Sequence, residues 1–165
     1  ASRAFGTVAP TPRTAALAPL AAEWESARTK SEAAMEELAL HQWIGALWEF
    51  VGAANRFVDT EKPWELAKAA KGGDAVARER LSGVLGDLLE SCRLVALYAA
   101  PVIPVTAEKI WTLLGHAWPF DAAGHGSTTR AALGGWGSAA ATGALGDPVP
   151  LFPRLESDEQ PVSAD

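Results

Sequence analysis

Asn55-Arg56-Phe57-Val58-Asp59-Thr60-Glu61-Lys62-Pro63-Trp64-Glu65-Leu66 joins two helical patterns, and polar residues interrupt both where packing alone favours apolar ones. Upstream, Ile44, Leu47, Trp48, Val51 and Val58 recur at three- and four-residue spacing, the apolar stripe of an amphipathic helix. Asn55 falls on that stripe, which predicts a core-facing asparagine in need of hydrogen-bond partners. Downstream, Pro63 suits the first turn of a new helix, where its missing N–H would have been unpaired anyway. Trp64 therefore stands at a corner between two helices.

Two readings of that corner follow from the residues. Trp64 is one of seven tryptophans and can simply fill a helical core. It can also be a stacking platform, with Asn55, Arg56 and Asp59 nearby to hydrogen-bond a flat polar ligand. An unstacked nucleobase is such a ligand, since every base has a π-face and an edge of donors and acceptors. Position in the chain leaves both readings open.

The whole chain sets further limits. Its 165 residues suffice for one core and hardly for two. Abundant alanine, one tyrosine and few β-branched runs predict an all-α protein. The formal charge of −6 argues against strong non-specific nucleic-acid binding. The acidity is uneven, however: Glu156, Asp158, Glu159 and Asp165 lie in the last ten residues with no Lys or Arg among them. A short loop read by stacking and edge contacts also needs less charge than a duplex. The single cysteine excludes an internal disulfide, and Cys92, among Leu88, Leu89, Val95 and Ala96, is expected to be a buried small hydrophobe. No run approaches the roughly 18 apolar residues of a membrane span, and no charged-then-apolar leader opens the chain. A cytoplasmic protein without membrane contact is the expectation.

In chain order, residues 1–13 read as a helix end and a Pro-rich linker. Residues 14–115 read as a helical bundle. Its first helix has Leu17, Leu20, Ala21, Trp24, Ala27, Ala34, Met35 and Leu38 on one side, its regular part starting near Ala18 because Pro19 fits only a first turn. The second runs from Leu40 to Val58. A short helix from Pro63 to Lys71 is ended by Gly72-Gly73, and Asp74 caps the longest helix, whose apolar stripe is Leu81, Val84, Leu85, Leu88, Leu89, Cys92, Val95 and Ala96. Pro101 stops it, Pro104 restarts the chain, and the last helix buries Ala107, Ile110, Trp111 and Leu114 before Gly115. Residues 116–156 form an irregular tail docking on the bundle or on another domain, with Leu151 and Phe152 as its apolar anchors and Gly134-Gly135-Trp136-Gly137 as a turn. Residues 157–165 are expected to be disordered.

Catalytic chemistry is not visible. His41, His116 and His125 share no metal-ligand spacing, and one cysteine cannot build a thiolate zinc site. His41 reads as solvated, and Glu36-Glu37 and Asp87/Glu90 as helix-surface carboxylates without the enclosure that paired-carboxylate catalysis needs. No phosphate-cradling glycine loop or nucleophile elbow occurs.

Three signatures add a family. Trp48-Glu49-Phe50-Val51, Ala54-Asn55-Arg56-Phe57-Val58-Asp59 and Lys62-Pro63-Trp64-Glu65-Leu66-Ala67-Lys68 together resemble the anticodon-binding domain of methionyl-tRNA synthetases. Ala100-Pro101-Val102-Ile103-Pro104-Val105-Thr106-Ala107-Glu108-Lys109-Ile110-Trp111 resembles that family's Pro-x-x-Pro-x-Thr-Ala-x-x-Ile helix entry, and Pro150-Leu151-Phe152-Pro153-Arg154-Leu155-Glu156 its closing Leu-Phe-Pro-Arg-Ile-Glu. The resemblance implies a helix bundle of the class I synthetase anticodon-binding type with an irregular C-terminal tail. It implies a parent enzyme, a methionine-tRNA ligase that charges tRNA(Met) using ATP and Mg in a catalytic domain outside this chain, while the chain itself has no catalytic residue, cofactor or metal. Its partners would be the anticodon loop and that catalytic domain. Trp64 corresponds to the family's tryptophan stacking on the first anticodon base. Asn55 and Asp59 match residues shaping the pocket, Pro63 sets the indole's geometry, Arg56 lies beside them, and Arg154 matches the arginine of the closing segment. The family's further Asn and Arg, one turn apart on a preceding helix, have no counterpart here. The alternatives are the anticodon domain of a sibling synthetase for cysteine, valine, leucine or isoleucine, and a helical protein-interaction module.

Overall fold

The structure, a computed structural model, describes residues 9–120, 129–139 and 143–152. Within them the chain forms α1 (Pro19–Glu36), α2 (Leu40–Glu61), α3 (Pro63–Lys71), α4 (Ala75–Ala99), α5 (Pro104–Leu113) and the short α6 (Thr129–Leu133). No strand occurs among the described residues, so the all-α expectation holds. The boundaries follow local chemistry. Proline opens α1, α3 and α5, where no intrahelical N–H is needed. The Asp74 carboxylate accepts the Ala77 N–H at 3.0 Å to cap α4, and Gly73, at φ 96°, turns the chain out of α3.

The core is aromatic. Trp24 of α1 has no exposed surface and meets Phe50 of α2 and Tyr98 of α4 edge-on, at ring-centroid distances of 5.1 and 4.9 Å. Its indole N–H donates to the Gly134 carbonyl at 2.7 Å. Trp43 and Trp111 are also buried.

Several expected core positions lie elsewhere. Leu17 is 69% exposed because it sits in the turn before α1, and Leu38 is 81% exposed because its φ of 56° swings it off the helix stripe. In α2 the buried set is Trp43, Ala46, Leu47, Phe50, Ala53 and Phe57, so the helix is rotated from the expected stripe. Three aromatic rings bury more apolar area than the Ile/Val set, and the two alanines let a neighbour approach closely. The rotation puts Asn55 in solvent, correcting its expected core position.

In α4 the departure is larger. Asp87, Glu90, Ser91 and Arg93 are buried, while Cys92 is exposed, so Asp87 and Glu90 are not the surface carboxylates expected and Cys92 is not a buried hydrophobe. Each buried carboxylate has an arginine. The Arg13 guanidinium donates to Asp87 at 2.8 and 2.5 Å and its backbone N–H at 2.9 Å, while Arg93 donates to Glu90 at 2.8 and 2.6 Å. Arg93 also donates to the carbonyls of Leu133 (2.7 Å) and Gly135 (3.1 Å), and Glu90 accepts the Gly137 N–H at 2.7 Å. The glycine turn is thus bound to the bundle, with the Trp136 indole donating to the Arg13 carbonyl at 3.0 Å. Phe152, expected to anchor the tail, is 73% exposed.

Burial, with the positive charge of Arg93 nearby, lowers the pKa of His116 below its ordinary 6.5. The folded protein then binds a proton less readily than the unfolded chain. The stability linked to His116 is present above pH 6.5 and lost as pH falls through the lower folded value. His116→Gln is expected to flatten the acid side of a melting-temperature profile below pH 6.5; an unchanged profile would show that His116 carries none of that slope.

Candidate nucleic-acid interface

The corner between α2 and α3 consists of one residue. Lys62 takes a left-handed conformation, φ 45° and ψ 63°, which side chains with a Cβ rarely adopt. Its N–H closes α2 on the Val58 carbonyl at 3.0 Å, and its carbonyl accepts the N–H groups of Glu65 (2.9 Å) and Leu66 (3.3 Å) to open α3. Pro63 follows at the first helical position and is half-buried. Leu66 points to the core cluster, which leaves Trp64, two positions earlier, on the outside. It is 56% exposed.

Beside this corner runs the solvent face of α2. Trp48, Asn55 and Asp59 follow one another at seven- and four-residue spacing, which places them on one face of the helix. Trp48 is 63% exposed, and Asn55, Arg56 and Asp59 are exposed. The Arg56 guanidinium reaches back over Gly52, 3.4 Å from where a Cβ would stand there. Among the described residues, the side chains of Asn55, Arg56 and Asp59 have no hydrogen-bond or ion-pair partner. From Asn55 to Lys62 the helix rises about 10 Å, roughly the reach of one or two nucleotides. Residues 55–80 hold six cations and five anions, a small positive balance in a chain of net charge −6. Two of those cations, Lys68 and Lys71, lie in the last turn of α3, where they also complement the helix dipole.

The structure therefore exposes Asn55, Arg56 and Asp59 on the last turns of α2 and Trp64 in the first turn of α3, which Pro63 opens; Arg154 lies outside the described residues. The sequence reading misplaced Asn55 and missed two features. The exposure of Trp48 was legible in the heptad spacing of Trp43, Phe50 and Phe57, which turns residue 48 outward. The left-handed Lys62 had a weaker signal, the residue before a proline being disfavoured in the right-handed helical region. What the arrangement offers is a flat apolar face plus free donors and acceptors, suited to stacking and edge recognition of an unpaired base. Among the described residues, no group of His, Cys, Asp and Glu is placed to hold a metal ion.

No protein-family model matches the chain. Curated relatives do. The chain is 33% identical to the methionine–tRNA ligase of Bacillus subtilis over 134 residues, 78% of this chain and 18% of that protein. It is 34% identical to that of a Nostoc species over 127 residues, 77% of this chain and 23% of that protein. With the methionine–tRNA ligase of Streptomyces coelicolor it shares 32% identity over 128 residues. The chain thus spans about a fifth of the length of these relatives. In three dimensions it superposes on Mycobacterium tuberculosis methionyl-tRNA synthetase in the free state with a TM-score of 0.74 and 27% identity, covering 94% of this chain and 29% of that one. The same enzyme in complex with methionyl-adenylate gives a TM-score of 0.63 over 88% of this chain. Sequence and fold agree on the same proteins over most of these residues, and the chain belongs to the methionyl-tRNA synthetase family.

Proposed function

We propose that this chain is the anticodon-reading part of an ATP-dependent methionine–tRNA ligase, the complete protein charging tRNA(Met) with methionine. The observation that carries the reading is the exposed indole of Trp64 at a one-residue helix corner, with Asn55, Arg56 and Asp59 exposed on the preceding turns of α2 and, among the described residues, unpaired. The first anticodon base stacks on Trp64, the polar groups of α2 read base edges, and Arg154 serves the same site from the closing segment. Residues 14–115 form the recognition bundle, and residues 116–156 form a tail that docks on it or on the catalytic domain. ATP and magnesium belong to that catalytic domain, which lies outside these residues, and the chemistry takes place there in the cytoplasm. None of the described helices is long and apolar enough to cross a membrane.

Stacking of a base on an aromatic ring contributes about 1–3 kcal/mol, or roughly 5- to 150-fold in affinity. Trp64→Ala in the complete synthetase is therefore expected to lower tRNA charging by that range, while methionine-dependent ATP–pyrophosphate exchange, which needs no anticodon, stays within about twofold. Equal loss of both activities would make Trp64 a structural residue and end this reading.

A further inference from the structure

Trp64 can stack only if the corner that presents it holds one geometry. A single residue between two helices lets α3 swing about Lys62, and the left-handed backbone there is a conformation that a lysine does not favour by itself. Something outside the corner must hold it. The structure offers a tie of the right kind: Arg80, in the second turn of α4, donates its Nε–H to Glu61, the last residue of α2, at 3.0 Å. The Glu61 side chain is 14% exposed although it is a carboxylate at the bundle edge, whereas Arg80 is 60% exposed. The pair joins the end of α2 to α4, the helix on which α3 packs. It thereby encloses the corner: α2 leads into Lys62, α3 leaves it, and α4 is fixed to both. The ion pair of Lys62 with Glu65 in the first turn of α3, at 3.5 Å, is local and cannot set the angle between helices.

We infer that Glu61, Arg80 and left-handed Lys62 are positioning residues for RNA recognition, holding Trp64 in its stacking orientation without touching the RNA themselves. The inference rests on the stacking role of Trp64. Without the Glu61–Arg80 tie the corner samples several orientations, and apparent affinity falls by the fraction of molecules still competent. If that fraction drops to between a third and a tenth, binding weakens about three- to tenfold.

The test measures binding of a tRNA(Met) transcript to the complete synthetase by titration at several salt concentrations. Arg80→Ala is expected to weaken binding about three- to tenfold while leaving the slope of affinity against salt unchanged. The charge-swapped double variant Glu61→Arg/Arg80→Glu is expected to regain most of the loss. Lys62→Gly, which tolerates positive φ, is expected to keep or raise thermal stability yet weaken binding, because the corner loses stiffness. An Arg80→Ala variant that lowers the salt slope by about 1 and is not rescued by the swap would place Arg80 on a phosphate and overturn the inference. So would unchanged binding in Arg80→Ala. Trp64→Ala, titrated beside them, separates the two ideas: no loss there removes the stacking role, whereas loss there with an inert Arg80 removes only the positioning role.

Discussion

Arg93→Ala is expected to destabilise the fold by about 3–5 kcal/mol, because it leaves the Glu90 carboxylate buried without its partner. Arg93 is 1% exposed, and its guanidinium bonds both Glu90 oxygens, the Leu133 and Gly135 carbonyls and the Ser138 hydroxyl. It also lies over the Trp111 ring, 5.6 Å from its centroid. The loss has two sources that a second variant separates. Glu90→Gln/Arg93→Met removes the uncompensated charge and fills the same volume with apolar atoms, a change that is often neutral for a simple buried pair. Here it is expected to recover only part of the stability, since the two loop carbonyls stay buried without donors. Denaturant unfolding measures both. A loss below about 1 kcal/mol for Arg93→Ala, or full recovery in the double variant, would show that the turn at residues 133–138 is not held through this arginine.

That network explains why the bundle was more legible in the sequence than the way its elements meet. Helix ends were readable from Pro19, Pro63, Asp74, Gly72-Gly73 and Pro104, because capping and proline chemistry act over a few residues. The inward faces of α2 and α4 were harder. An apolar count favours Val51 and Val58 over Ala46 and Ala53, yet close helix approach rewards the alanines. In α4 a polar arc of Asp87, Glu90, Ser91 and Arg93 looks solvated until Arg13 and the glycine turn, 74 and about 40 residues away, supply its partners. Such partners cannot be seen from helical periodicity. The candidate site was legible only in part: the proline that opens α3 just before Trp64 is a local feature, whereas the exposure of the indole depends on how α3 packs. Asn55 was placed on the wrong face; it lies in solvent, and among the described residues its amide has no partner.

Two tryptophans should therefore respond to the same substitution in opposite ways. Trp24→Ala is expected to lower stability by about 3–5 kcal/mol, a large part of what a domain of this size has in total. The ring is wholly buried between Phe50 and Tyr98, and its N–H supplies the hydrogen bond to Gly134, so truncation leaves a cavity and an unpaired carbonyl together. Trp24→Phe should lose less, since it keeps much of the apolar volume and forfeits the hydrogen bond. Trp64→Ala removes a ring that is already 56% exposed and should shift stability by only about 0.5 kcal/mol. Unfolding curves of the three variants decide the matter. If Trp24→Ala is as mild as Trp64→Ala, the aromatic core is not what holds α1, α2 and α4 together. If Trp64→Ala is as severe as Trp24→Ala, its indole is a packing group, and its loss could not be read as a loss of RNA recognition.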